Sequence, residues 1–392
     1  MPWALLLSLF VYLEHAGLTH PAIMTLLAPA ALYGWLKTPR SQAFFLGFWV
    51  AVLWFWWVGL SFRFTDYPLL APLAVLFFAV GYGAIFYAVS WLPVWGRALA
   101  IGAGFWVVEP FGFVWFKPEL LLVNSYYSPH LWALLFVMAA CLAWFYLKGW
   151  RQIAAVPFLL LAIALPSPEA PPPPPLKIKL VQGALEQSIK WDSAYRTLHA
   201  QNALDEIDLA IAQGYELVIL PEAVFPLFLN RDPGLIDALA ERSARIAVIA
   251  GGLHLKAGNL PYNSTYFFSE GRWQVADKVY LVPFGEGNPL PSWMGRWINE
   301  LFFEGAEDYR TAEGPTDFEI NGVKFRNAVC YEGTVEAMFK NAPPYMAVLS
   351  NNGWFTPSIE PDLQRLLMRL YAKRYGVRIY HAANQSPSEI IF

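Results

Sequence analysis

"PSPEAPPPPPLKIKL", residues 166–180, divides this chain into two unlike halves. Five consecutive prolines, Pro171 to Pro175, fix their φ angles and lack amide protons, so they end any helix and form a short extended spacer. Directly after them "LKIKL" alternates apolar and charged residues, the period-2 pattern of a strand. The charge count changes at the same point. Residues 1–170 hold seven Lys/Arg and five Asp/Glu, whereas residues 171–392 hold 20 and 25, a net charge of −5. The whole chain is 57% hydrophobic and only 15% charged, against roughly 25% charged in soluble domains. Its 392 residues suffice for two domains. The acidic second half argues against a nucleic-acid partner. Two cysteines, one in each half, exclude a disulfide framework.

Upstream of the prolines, apolar stretches recur at 1–13, 21–36, 43–60, 68–92, 97–116, 131–147 and 151–165. A membrane span needs about 20 mainly apolar residues, so the pattern predicts a polytopic helical region of about seven spans. The first stretch lacks the basic flank of a signal peptide. Lys37, Arg40, Arg97, Lys148 and Arg151 fall in alternate gaps without an acid. The other gaps carry Glu14, Arg63 with Asp66, and Lys117 with Glu119. The positive-inside bias then puts the N-terminus in the cytoplasm and, after seven spans, residue 170 onward on the opposite face. Six spans would return it to the cytoplasm. Glu109 lies near a span end, either as a functional acid or as a satisfied interfacial carboxylate.

Downstream, strand and helix patterns mix. "ELVILPEAVFP", "IAVIAGGLHL", "YNSTYFFS", "WQVADKVYLVPFG", "VKFRNAVCYEG", "MAVLSNNGWF" and "VRIYHAANQS" read as strands. "SAYRTLHAQNALDEIDLAIAQ", "IDALAERSARI", "TVEAMFKNA" and "DLQRLLMRLYAKRYG" read as helices. The strands are largely apolar on both faces, so the expected second domain is a layered α/β fold.

Three chemically capable residues fall at strand ends: Glu222, Lys278 and Cys330. Strand ends are where α/β folds gather their sites. One reading makes Cys330 a small buried hydrophobe. The other makes it a nucleophile, with Glu222 taking its proton and the Lys278 ammonium favouring the thiolate and then an oxyanion. Glu286 or Glu332 can orient Lys278 or relay a proton. His199, His254 and His381 lack ligand-like spacing, so no metal is expected. No phosphate-binding or dinucleotide motif occurs, and no cofactor is expected. Asn263, Asn351 and Asn352 interrupt apolar strands, as cleft ligands or as turn formers.

"LPEAVFP", "KVYLVPFGE" and "AVCYEG" resemble the Glu, Lys and Cys motifs of the carbon–nitrogen hydrolase (nitrilase) superfamily. Together with "YNSTYFF", "SNNGWF", "YAKRYGVRIYHAAN" and the apolar half, the arrangement resembles the apolipoprotein N-acyltransferases within it. The resemblance implies an α-β-β-α sandwich over 177–392, after a membrane domain over 1–165 and a linker over 166–176. It implies Glu222 as general base, Lys278 as oxyanion donor and Cys330 as nucleophile, supported by Glu286, Tyr331, Glu332 and Asn263. The implied reaction moves an acyl chain, typically the sn-1 chain, from a membrane glycerophospholipid to a thioester. The chain then passes to the N-terminal amine of a diacylglyceryl-cysteine lipoprotein. The implied place is the bacterial inner membrane, with the catalytic domain on the periplasmic face and the protein monomeric.

Two departures go with it. The chain stops at "SPSEIIF", 62 residues after Cys330, so the final strands and closing span of the family are expected to be missing. "VPFGEGNPLPSW" also differs from the longer loop the family leads one to expect. A membrane-anchored amidase releasing the acyl group to water, and a catalytically silent membrane scaffold, are the competing readings.

Overall fold

The structure, a computed structural model, describes residues 2–288 and 308–392. The chain forms two compact units, one comprising residues 1–110, 114–168 and 357–374, the other residues 111–113, 169–356 and 375–392.

The first unit is helical. Its helices are α1 (Pro2–His15), α2 (Pro21–Lys37), α3 (Arg40–Phe55), α4 (Ala71–Val89), α5 (Val94–Leu99), α6 (Phe105–Val107), α7 (Leu131–Tyr146) and α8 (Val156–Ala164). Among the described residues, two helical stretches are long and apolar enough to cross a membrane. They are Arg40–Phe64, with mean hydropathy 1.9, and Pro68–Val89, with mean hydropathy 2.2. Only 22% of the second is buried by protein. A helix that is apolar on every face and so little covered needs lipid around it. Val94–Val107, Leu131–Tyr146 and Gly149–Ala164 are shorter apolar helices.

The stretch 97–116, expected as one span, breaks instead at Val107, ahead of Glu109 and Pro110. A proline disfavours helical backbone at the residue before it and offers no N–H to continue the ladder. Glu109 is paired: the buried Lys117 ammonium donates to its Oε1 at 2.9 Å and to the Phe105 carbonyl at 3.1 Å. A helix from far along the chain, α12 (Glu360–Tyr375), joins this unit through charge. Arg369 donates to Glu14 Oε1 at 3.1 Å and to the side-chain Oδ1 of Asn124 at 2.9 Å.

The second unit is built on two sheets. The first contains β1 (Ile178–Leu180), β2 (Leu217–Ile219), β3 (Phe225–Phe228), β4 (Ala247–Lys256), β5 (Leu260–Ser269) and β6 (Arg272–Asp277). Its order is β1-β2-β4-β5-β6, with β3 also pairing β4. The second contains β7 (Asp317–Ile320), β8 (Val323–Val329), β9 (Tyr345–Asn351), β10 (Arg378–Asn384) and β11 (Glu389–Ile391), in the order β11-β10-β9-β8-β7. Helices α9 (Gln187–Lys190), α10 (Arg196–Ala212) and α11 (Pro233–Ser243) complete the unit.

Side-chain alternation sorts the layers. Val218, Leu220, Val248 and Ala250 pack with Ile207 of α10 and Leu239 of α11. Their strand neighbours Leu217, Ile219, Ala247 and Ile249 pack with Phe325, Ala347, Leu349 and Ala382 of the second sheet. Both faces of the first sheet are therefore buried, which explains the near-continuous apolar runs of β2 and β4.

Strand direction determines where the ends fall. β1, β2 and β4 run parallel, β5 opposes β4, and β6 opposes β5. Two reversals restore the original direction, so β2 and β6 end at the same edge. In the second sheet β8, β9 and β10 are parallel. A bridge between Gly183, just past β1, and Asn384, the last residue of β10, brings the two C-terminal edges together.

Two local expectations give way. "TVEAMFKNA" is not a helix but a single 3-10 turn, Glu336–Met338. Asn341 follows with a left-handed φ of +55° and then two prolines, which stops propagation. The strand expected through Cys330 ends at Val329.

Candidate active site

Glu222, Lys278 and Cys330 each sit just past the end of a strand, whereas Asn263 lies within β5. Glu222 is in the turn after β2, followed by Ala223 at φ +45°. Cys330 opens a 3-10 turn after β8 and itself has φ +52°. Left-handed backbone is costly for residues with a Cβ, and it persists where surrounding structure enforces it, often at functional sites. Both turns reverse the chain sharply at the common edge.

Glycine makes room for the first of them. A Cβ on Gly251 of β4 would lie 2.3 Å from the Ala223 nitrogen and 2.7 Å from the Glu222 Cα. Backbone atoms cannot yield as a flexible side chain can. Gly251→Ala is therefore expected to displace the Glu222 turn and cut turnover by about 10²-fold. Gly314→Ala, where the added Cβ meets nothing within 4 Å, should leave activity at the wild-type level. Acyl-transfer assays on both variants check this, and equal activities would refute the packing argument.

A hydrogen-bonded chain joins four of the predicted residues. The Asn263 amide donates to Glu222 Oε1 and to Glu286 Oε1, each at 2.8 Å. Lys278 Nζ donates to Glu286 Oε2 at 2.6 Å, and the Val282 N–H reaches the same oxygen at 2.9 Å. Lys278 is wholly buried. Burial disfavours its ammonium, yet the charges of Glu286, Glu222, Cys330 and Glu332 outweigh this and raise its pKa. Glu222 shifts upward as well, because burial and the nearby Glu286 charge outweigh Lys278, Lys190 and the Asn263 amide. Cys330 is partly buried, and its thiolate form raises the pKa of both Lys278 and Lys190.

Glu286, not Glu332, is the carboxylate that orients Lys278. Glu332 accepts three backbone N–H bonds, from Val279 at 2.6 Å, Tyr280 at 3.2 Å and Val329 at 2.7 Å. It thus clamps the chain beyond Lys278 to the end of β8, one residue before Cys330. Burial pushes its carboxyl up to about 7 despite those donors and the Lys278 charge. The Tyr331 hydroxyl donates to the Gly112 carbonyl at 2.6 Å, so this side chain positions the turn. Asn351 and Asn384 share a buried hydrogen bond of 2.8 Å at the ends of β9 and β10. The loop beyond Asn288 that departs from family expectation lies outside the described residues until Asp308.

The histidines are otherwise engaged: His254 with Asp277 at 2.8 Å, His381 with the Ser350 hydroxyl at 2.9 Å, and His199 with the Ile189 carbonyl at 3.3 Å. Among the described residues no cluster of His, Cys, Asp and Glu is arranged to hold a metal.

Sequence reasoning missed two residues. Lys190, in "QSIKWD", is buried and donates to the Glu222 carbonyl at 3.0 Å. Tyr309 donates its N–H to the Glu286 carbonyl at 3.1 Å, and burial beside Glu286 and Glu222 pushes its hydroxyl up to about 12. Neither carries a local signal, since a lysine in a short polar turn looks like surface. Chemically, the assembled groups provide a thiol, a carboxylate base and a buried cation at one edge, the components of acyl transfer through a covalent intermediate.

Comparison with known proteins gives matches along nearly the whole chain. Residues 1–165 match the family described as apolipoprotein N-acyltransferase integral membrane domain, and residues 177–384 match carbon-nitrogen hydrolase. The apolipoprotein N-acyltransferase of Wolinella succinogenes is 43% identical, covering 99% of this chain and 94% of that protein. The apolipoprotein N-acyltransferase of Helicobacter pylori is 38% identical, covering 94% and 87%. That of Helicobacter hepaticus is 36% identical, covering 95% and 94%.

Proposed function

This chain belongs to the apolipoprotein N-acyltransferase family, within the carbon–nitrogen hydrolase superfamily, and from that premise we propose how its own residues carry out an acyl transfer. The acyl donor is a membrane glycerophospholipid and the acceptor a diacylated lipoprotein. Glu222 takes the Cys330 Sγ proton, and the thiolate attacks the ester carbonyl. Lys278, held by Glu286, stabilises the oxyanion. Collapse breaks the ester C–O bond, and the proton held by Glu222 goes to the departing glycerol oxygen, leaving a thioester and a lysophospholipid. In the second half the acceptor's α-amine attacks the thioester and Glu222 accepts its proton. The C–S bond then breaks to give an amide and return the thiolate.

The observation that carries this reading is the Glu222–Asn263–Glu286–Lys278 hydrogen-bonded chain at the edge where β8 also ends, just before Cys330. The apolar helices of the first unit favour lipid-anchored substrates over soluble amides. The proposal places residues 1–165 in the bacterial inner membrane as several spans, residues 166–176 as a linker, and the catalytic domain from 177 onward on the periplasmic face.

The test incubates purified protein with phospholipid carrying a labelled acyl chain. A hydroxylamine-sensitive label on Cys330, discharged by a diacylated lipopeptide but stable in its absence, is the expected result. Discharge by water alone would make the protein a hydrolase, and no label at all would leave it a scaffold.

A further inference from the structure

Lys190 is a buried ionisable group with no role in the proposed acyl transfer. It closes α9, and that short helix is held from the other sheet. Asn351 Nδ2 donates to Gln187 Oε1 at 2.8 Å. Asn384 accepts from the Leu185 N–H at 2.9 Å and donates to the Leu185 carbonyl at 2.8 Å. The ends of β9 and β10 thereby fix the segment that aims Lys190 at the turn after β2. A buried ammonium needs compensating negative charge. Its hydrogen-bond acceptor, the Glu222 carbonyl, carries none in full. Glu286 is bonded to Lys278 instead. The charges left to compensate Lys190 are the Glu222 carboxylate and the Cys330 thiolate.

We infer that Lys190 is a second ammonium of the active centre, a positioning residue that fixes the Glu222 turn and favours the thiolate of Cys330, so that acylation falls when Lys190 loses its proton. The inference rests on the acyl-transfer reading of the site. Among the described residues, Glu222 after β2 and Cys330 after β8 act on Lys190, and Lys278, Glu286 and Tyr309 act on or beside Glu222 in turn. His199 of α10 contacts the neighbouring Ile189 carbonyl. Burial lowers the Lys190 pKa to about 8, with Glu222 and Cys330 acting in the opposite sense. Its charge is therefore poised to change within a few pH steps of neutrality.

The experiment measures iodoacetamide alkylation of Cys330 by mass spectrometry on full-length protein in detergent, from pH 5 to 10, with buried Cys141 as internal reference. Lys190→Met is expected to slow alkylation at pH 7 by about tenfold and to move the profile up by about one pH unit. Lys190→Arg, which stays charged across this range, should restore the wild-type rate at pH 7. A purely structural role would leave the profile in place, and superimposed wild-type and Lys190→Met curves overturn the inference.

Should Lys190→Met not fold, thioester formation decides. The wild type is expected to decline as pH passes through about 8, and Lys190→Arg to keep its rate there. The same decline in both overturns the inference. Absence of any Cys330 alkylation or acyl label in the wild type overturns the acyl-transfer reading and this inference together. Modification of Cys330 that is indifferent to Lys190 overturns this inference alone.

Discussion

Cys330→Ala is expected to fold like the wild type and to form no acyl-thioester, with transfer reduced by roughly 10⁴-fold or more. The size of the loss follows from the kind of step removed. On the proposed mechanism the other groups move a proton to or from this sulfur or stabilise what it forms, so none can substitute for it. The neutral effect on folding follows from the surroundings. Cys330 is only partly buried, and the turn it opens is held by Glu332 and Thr334 through the Val329 N–H and the Tyr331 carbonyl. Alanine tolerates the left-handed φ of +52° about as well as cysteine does. Labelled-phospholipid transfer alongside a thermal melt checks both halves. Residual transfer within tenfold of wild type would place the nucleophile elsewhere.

Lys278→Met should lose both activity and stability. The oxyanion loses its donor, an effect of about 10²–10³-fold on the rate. Among the described residues the fold loses the only cation hydrogen-bonded to Glu286, beside a buried carboxylate on Glu222. Removing one partner of a buried ion pair costs about 3–5 kcal/mol. The pH dependence has a definite sign. In the wild type the folded pKa of Lys278 lies above its unfolded value. Its contribution to stability is therefore complete below the unfolded value and lost only as pH rises through the folded one. In the variant the Glu222 carboxyl faces no Lys278 ammonium to oppose its burial, so its folded pKa rises further. Protonation then relieves the penalty, and the deficit in melting temperature should shrink as pH falls from about 8 to about 5. A deficit that is flat across this range would contradict the charge argument.

The fold was legible wherever a local pattern had a physical cause. The proline run, the apolar stretches of the first half, the alternation of β1 and the apolar runs of β2 and β4 each follow from the residues in the segment itself. What was not legible depended on other segments. The short strands β3, β7 and β11 have three or four residues each and gain their strand character by pairing with longer neighbours. The helix Glu360–Tyr375 was readable from its spacing, but its packing with the N-terminal helices rests on Arg369 meeting Glu14 and Asn124, more than 200 positions away. The fifth apolar stretch looked continuous in hydropathy, and Pro110 interrupted it.

For the site, the sequence alone determined the residue types and their addresses: a carboxylate, a lysine and a thiol, each just past an apolar strand. Motif resemblance then named their roles. Only the tertiary structure decided who binds whom. Two antiparallel steps between β4 and β6 return Lys278 to the edge that carries Glu222, a parity that no single strand encodes. The same folding gave Lys278 to Glu286, turned Glu332 into a backbone clamp, required the missing side chain at Gly251 and buried Lys190 beneath Glu222. Local patterns record what a residue is and which face it takes. Charge pairing, steric room and burial are properties of neighbours, and the neighbours here come from strands far apart in the chain.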